Sequence, residues 1–140
     1  MTSRYLIRFD GGSRGNPGKA GCGYVIYKPD GSLHLRGACF VGLSETNNVA
    51  EYSGLLRALE ALSMDDTITC LQIEGDSLLV INQLNGKWKV KADNLLPLYN
   101  SVSALLKKYD FTVKHIPRKE NAEADRLANV AMDSISENSN

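Results

Sequence analysis

Four carboxylates stand where they could act together: Asp10, Glu51, Asp76 and Asp125. Asp10 closes an alternating run that begins at Arg4, Glu51 lies in the first turn of a long helical run, Asp76 follows a second strand-like run, and Asp125 lies near the start of the last helical run. Ligand sites in open α/β sheets collect outside the carboxyl ends of the strands, so Asp10 and Asp76 become neighbours if the first and fourth strands are adjacent. Two carboxylates about 4 Å apart repel by about 4 kcal/mol at an effective dielectric of about 20. Such a group calls for cations. An all-oxygen set without His or Cys favours Mg²⁺ or Mn²⁺ over zinc. Taken singly, each acid has an ordinary structural alternative. Asp10-Gly11 is a turn signal, Asn48 to Glu51 has capping-box spacing, Asp76-Ser77 suits a helix cap, and Asp125 with Glu120 and Glu123 suits the positive end of a helix. Their joint placement carries the information.

The elements that must position these acids can be read from periodicity. Arg4 to Asp10 is a strand with Tyr5, Ile7 and Phe9 on one side and Leu6, Arg8 and Asp10 on the other. Gly11 to Gly18 reads as a turn cluster, and it is not a Walker loop, since no Gly-Lys-Ser/Thr follows. Ala20 to Lys28 and Leu33 to Val41 form a hairpin about Pro29-Asp30-Gly31-Ser32. Residues 47–62 take a helical period, with Tyr52, Leu55, Leu56, Leu59 and Leu62 on the inner face. Thr67 to Glu74 is a fourth strand, Ser77 to Leu84 a short helix, Leu95 to Tyr109 a helix with Pro97 near its start, and Phe111 to Ile116 a fifth strand. Residues 120–135 close the chain as a helix with Ala124, Leu127, Ala128, Ala131 and Ile135 inward, and 136–140 read as a frayed tail. The expected fold is α/β: a five-stranded mixed sheet, antiparallel through strands one to three, then two parallel strands, with helices on both faces. One domain over 1–135 accounts for the length.

The 140 residues carry 16 Lys+Arg and 16 Asp+Glu, a formal net charge of zero. That excludes a uniformly basic binder of nucleic acid, although the charge is unevenly spread. Residues 85–119 hold Lys87, Lys89, Lys91, Lys107, Lys108, Lys114, Arg118 and Lys119 against Asp93 and Asp110. The longest apolar run, Ala20 to Tyr27, spans about eight residues and contains glycines, far short of the roughly 20 needed for a membrane span. The N-terminus has no signal-peptide pattern. Cys22, Cys39 and Cys70 have no metal-ligand spacing and read as reduced thiols of a cytoplasmic protein.

Four blocks together resemble the signature of ribonuclease H type 1, in its short archaeal and plant-like subgroup. They are Asp10-Gly-Gly-Ser-Arg-Gly-Asn-Pro-Gly18, Thr46-Asn-Asn-Val-Ala-Glu51-Tyr, Glu74-Gly-Asp76-Ser77 and Glu120-Asn-Ala-Glu-Ala-Asp125-Arg-Leu-Ala128. The resemblance spans roughly residues 3–133 in the family's order. It implies an enzyme whose acids Asp10, Glu51, Asp76 and Asp125 hold two Mg²⁺ ions, with Mn²⁺ as a substitute. Such an enzyme cuts the RNA strand of an RNA–DNA hybrid to 5′-phosphate and 3′-hydroxyl ends. It implies substrate contacts by Gly11, Gly12 and Ser13, whose glycines leave room for a close strand, and by Asn16, Asn47 and Asn48 on the minor groove. Thr46 would hold a DNA phosphate at the helix start, and Ser77 falls in the third block beside Asp76.

Some features depart from the family's bacterial members. The stretch between the fifth strand and Asp125 is short, so the mobile histidine loop is expected to be missing. Arg118 and His115 then compete as the group that assists at the scissile phosphate, and neither is a further alternative. Residues 85–94 are too short for the basic protrusion, but Lys87, Trp88 and Lys89 offer a small basic platform for the DNA strand. A solvated loop with a core-packing tryptophan is the structural alternative there. Tyr52 reads as core. A non-catalytic nucleic-acid-binding domain and a DNA nuclease of the same fold are the competing functions, and a monomer is the expected assembly.

Overall fold

The computed structural model describes residues 3–134. The expected tail at 136–140, and Ile135, lie outside the described residues. Five strands form one sheet: β1 (Tyr5–Arg14), β2 (Gly18–Tyr27), β3 (Leu33–Glu45), β4 (Cys70–Gly75) and β5 (Asp110–His115). Their order across the sheet is β3-β2-β1-β4-β5. The β1–β2 and β2–β3 pairs are antiparallel, and the β1–β4 and β4–β5 pairs are parallel. This is the mixed sheet expected from the sequence, with β1 and β4 adjacent. The helices are α1 (Asn47–Leu62), α2 (Leu78–Leu84), α3 (Leu96–Leu106) and α4 (Ala122–Asp133), the last entered through a 3-10 turn, Arg118–Asn121. Among the described residues no helix is long and apolar enough to cross a membrane.

Alternation along β1 divides its side chains between two layers. Ile7 and Phe9 are fully buried in the larger core, with Ile26 of β2, Leu71 and Ile73 of β4, Val80 of α2, Val102 of α3, and Tyr52, Leu55, Leu59 and Leu62 of α1. Burying each aliphatic side chain of this kind stabilises the fold by roughly 1.5–3 kcal/mol. Two glycines show which helix covers which face. A Cβ on Gly11 would fall 2.1 Å from the carbonyl carbon of Ala50 in α1, whereas one on Gly23, the β2 partner of Asp10, would fall 2.6 Å from the Ala124 oxygen in α4. Thus α1 and α4 clasp opposite faces, and Asp10 projects on the α4 side.

Several boundaries differ from the sequence expectation, each for a visible reason. The glycine stretch is not a turn from Gly11 onward. β1 continues to Arg14 because Gly11, Gly12 and Ser13 pair with Cys22, Gly21 and Ala20, and only residues 15–17 turn. The Asn16–Pro17 peptide is cis. β3 extends to Glu45, since its pairing with β2 continues to Gly18. β4 starts at Cys70 rather than Thr67, because the Asp65 carboxylate accepts from the Thr67 amide at 2.9 Å and from its hydroxyl at 2.6 Å, holding a local turn. The last helical run opens as a 3-10 turn and becomes α-helical only at Ala122.

Candidate metal centre and nucleic-acid cleft

Each acid reaches the site by its own element. Asp10 lies on β1 where the strand passes between the two helical layers, and Asp76 follows β4, the parallel neighbour of β1. Glu51 comes from α1, which the bare Cα of Gly11 allows to lie against the strand. The Asn48–Glu51 capping box does not form. Thr46 is the N-cap, its hydroxyl accepting from the Val49 amide at 3.2 Å. Glu51 therefore lies beyond the capping turn, with its carboxylate free to turn toward β1. The Gly11 amide donates to Asp10 Oδ1 at 2.9 Å and is 3.3 Å from Glu51 Oε1.

Asp10, Glu51 and Asp76 each present a carboxylate oxygen, and the three oxygens lie within 4.8 Å of one another. Asp10 and Glu51 are almost completely buried. Burial pushes Asp10 up to about 7, the Asp76 charge and the Asp125 carboxyl add to this, and the Glu51 hydrogen bond and the Gly11 amide oppose it. Glu51 is also held well above the usual carboxylate range, first by burial and then by Asp10 and Asp76. Glu51 Oε2 is buried and has no protein partner. A buried carboxylate oxygen without a donor is costly, and a divalent cation among these three acids would satisfy it. The donor set is all oxygen, as Mg²⁺ and Mn²⁺ require. The residues present therefore fit a hard cation.

Asp125 is not one of the three acids that lie within 4.8 Å of one another, but its carboxyl reaches Asp10. It borders the same cleft, of about 420 Å³, and its Oδ1 is 3.7 Å from Arg118 Nη2. The cleft is also lined by Gly11, Gly12, Ser13, Asn47 and Arg118. Arg118 is 82% exposed at its side chain. His115 ends β5, as the strand-like sequence around it suggested, and its Nε2 is 3.2 Å from the Asp76 backbone oxygen, outside the cleft lining. Of the two, Arg118 is the one that faces the cleft.

The remaining candidates divide between scaffold and surface. The room left by Gly11 is filled by α1, not left open for a substrate strand. The Ser13 amide donates to Asn47 Oδ1 at 2.8 Å, the Asn47 amide donates to Asn16 Oδ1 at 3.0 Å, and the Ser13 hydroxyl donates to the carbonyls of Gly15 and, at 2.7 Å, Glu45. These bonds tie the β1–β2 turn to the start of α1. Asn48 is half-buried on the first turn of α1. Ser77 caps α2, its hydroxyl accepting from the Val80 amide. Trp88 and Lys89 border a separate hollow of about 310 Å³ with Gln83, Gly86, Val90, Leu96 and Tyr99, while Lys87 is exposed beside it. Trp88 is 46% exposed and so is not the core tryptophan of the structural alternative. Tyr52 is core, its hydroxyl donating to Gln83 Oε1 at 2.5 Å.

Two groups near the cleft escaped the sequence. Asn121, 1% exposed, donates from Nδ2 to the Phe9 carbonyl at 2.9 Å and to Asp76 Oδ2 at 3.3 Å, so it braces β1 and orients a cluster acid. Its side-chain oxygen has no protein partner. The signal was there, as a polar residue inside the fourth block, but the partners lie up to 112 residues away. The second group is Arg14 and Asn129, which line the cleft beside Ala128 and Met132.

Residues 8–131 match the family model described as "Reverse transcriptase-like". The bifunctional protein Rv2228c of Mycobacterium tuberculosis is 42% identical over 136 residues, which cover 96% of this chain and 37% of that protein. The N-terminal RNase H domain of Rv2228c, solved as a fusion, superposes with a TM-score of 0.89 at 41% identity over 95% of this chain and 96% of that one. Ribonuclease HI of Halobacterium salinarum is 41% identical over 89% of this chain and 62% of its own length. LC11-RNase H1, solved in complex with an RNA/DNA hybrid, gives a TM-score of 0.88 at 38% identity, covering 94% of this chain and 98% of that chain. The chain thus spans between about a third and two thirds of the length of these two sequence relatives.

Proposed function

Since the chain belongs to the reverse transcriptase-like family and its relatives there include ribonucleases H, we propose that it is a metal-dependent endoribonuclease that hydrolyses the RNA strand of RNA–DNA hybrids. The observation that carries this reading is the Asp10–Glu51–Asp76 cluster, with Asp10 and Glu51 buried and one Glu51 oxygen unpartnered. Asp10, Glu51 and Asp76, with Asp125 on the same cleft, would hold two Mg²⁺ ions, and Mn²⁺ offers the same coordination chemistry. When bound, such ions activate a water nucleophile and stabilise the leaving oxygen of an in-line displacement, which leaves 5′-phosphate and 3′-hydroxyl ends.

The protein's own groups do the rest. The Gly11 amide fixes the Asp10 and Glu51 carboxylates, and Asn121 fixes Asp76. Arg118, exposed and near Asp125, supplies positive charge for the scissile phosphate, the role for which His115 is the less favoured candidate. The Asn47 side chain borders the cleft, where its amide group can read the 2′-hydroxyl that tells RNA from DNA. Asn16, Asn48, Thr46 and Ser77 support the strand path around it. Lys87, Trp88 and Lys89 give the DNA strand a basic, partly stacking surface away from the cleft. Residues 1–135 would form one catalytic domain that acts as a monomer in the cytoplasm, where free thiols such as Cys22, Cys39 and Cys70 persist.

A panel of end-labelled substrates tests this reading. The RNA of a hybrid should be cut in Mg²⁺, while duplex DNA stays intact. Duplex DNA cut as readily as the hybrid would support a DNA nuclease instead, and binding without any cut would support a non-catalytic domain.

A further inference from the structure

Among the described residues lining the acidic cleft, two carry positive charge: Arg118 and Arg14. Arg118 stands beside Asp125. Arg14 is the last residue of β1, four residues beyond Asp10. At about 3.3 Å per residue, its Cα lies roughly 13 Å along the strand from that of Asp10. The two arginines thus mark separate stations in one cleft.

Arg14 is held in place. Its Nη2 lies 2.7 Å from Asp133 Oδ1 and donates to Asn129 Oδ1 at 3.3 Å. Asn129 in turn donates from Nδ2 to the Asp125 carbonyl at 3.0 Å. One side chain therefore links Arg14 to the backbone of a cluster acid. Both contacts on Arg14 use Nη2, which leaves donors on Nη1 and Nε of a planar, five-donor fork. The side chain is 42% exposed. A fixed guanidinium with open donors on the wall of an acidic cleft suits a phosphodiester, which it can bind in bidentate fashion. An exposed Arg–Asp pair adds little to stability on its own, so its clasp between β1 and α4 does not account for a place on the cleft wall.

We propose that Arg14, oriented by Asn129 and Asp133, binds an RNA-strand phosphate that flanks the scissile one and so sets the register of the strand over the carboxylates. This rests on the proposed hybrid cleavage. The test compares wild type, Arg14→Ala and Arg14→Lys on a defined hybrid in Mg²⁺ across a salt series. Loss of Arg14 should raise KM roughly tenfold, with kcat within about twofold. It should also flatten the dependence of log KM on log salt by about 0.7–0.9, the signature of one phosphate contact. Lysine should restore the salt slope but only part of the affinity. A neutral methylphosphonate is then moved one position at a time along the RNA strand. At one flanking position it should weaken wild type by the same factor and leave Arg14→Ala unaffected. Unchanged KM and salt slope in Arg14→Ala, or a methylphosphonate effect equal in both proteins at every position, would overturn the inference while leaving the cleavage reading intact. A wild-type protein that leaves the hybrid uncut overturns both.

Discussion

At the scale of single residues, Asp10 and Glu51 combine deep burial with crowding by like charge, and the metal-free site answers by keeping protons. The Asp10 carboxyl titrates at about 7 in the fold against 3.8 for the ordinary group. The folded metal-free protein therefore binds more protons than the unfolded chain between those values, and its stability falls as pH rises through that window. The melting temperature of metal-free protein should drop by roughly 5 °C or more from pH 5 to pH 8. Millimolar Mg²⁺ should restore it, with a larger gain at pH 8 than at pH 5; a pH-independent gain would contradict the buried cluster. Asn121 is the second test. Asn121→Ala strands the buried Phe9 carbonyl and frees Asp76, so stability should fall by about 1–3 kcal/mol. Mg²⁺ affinity should weaken roughly 10–100-fold, which calorimetry measures directly. That Asp10, Glu51, Asp76 and Asp125 would line one cleft was legible because their types and their positions relative to strands constrain each other. Asn121 was not, because an asparagine before a helix looks like local turn chemistry until β1 is placed beside it.

At the scale of elements, the site depends on how closely α1 can approach β1. Gly11→Ala would push a methyl to within 2.1 Å of the Ala50 carbonyl carbon, a backbone atom that cannot swing aside. We expect a loss of roughly 1–3 kcal/mol and, with Glu51 carried away from Asp10, an activity loss out of proportion to it. Unfolding curves and cleavage rates on the same protein would separate the two effects. The strand order and the long helix could be read from periodicity. The run through Gly11 and Gly12 could not, because glycines signal a turn to local reasoning, whereas pairing with β2 supplies the ladder that keeps them extended. The capping-box alternative at Glu51 has the same origin. Asn48 and Glu51 have the right spacing, but Thr46, one residue before the helix, takes the cap.

At the scale of the whole molecule, a net charge of zero conceals an acidic cleft and a basic stretch at residues 85–119. Binding to a hybrid should therefore be strongly salt-dependent despite neutrality. Replacing Lys87 and Lys89 together by Ala should weaken hybrid binding and reduce the salt slope by up to about two phosphates' worth, with kcat unchanged, as fluorescence anisotropy and initial rates would show. The division of charge was visible in the sequence. Its geometry was not, since only the fold shows that Trp88 and Lys89 border a hollow separate from the acidic cleft. Loaded with a divalent ion, the carboxylate cluster is proposed to cut the RNA of a hybrid. The most direct measurement is the cleavage rate of a labelled RNA–DNA hybrid by wild type and Asp10→Asn, with Mg²⁺ and with chelator. Wild type in Mg²⁺ should cut the RNA strand, and either the substitution or the chelator should lower the rate by about a thousandfold or more. Equal rates for wild type and Asp10→Asn, or cutting that persists in chelator, would contradict it.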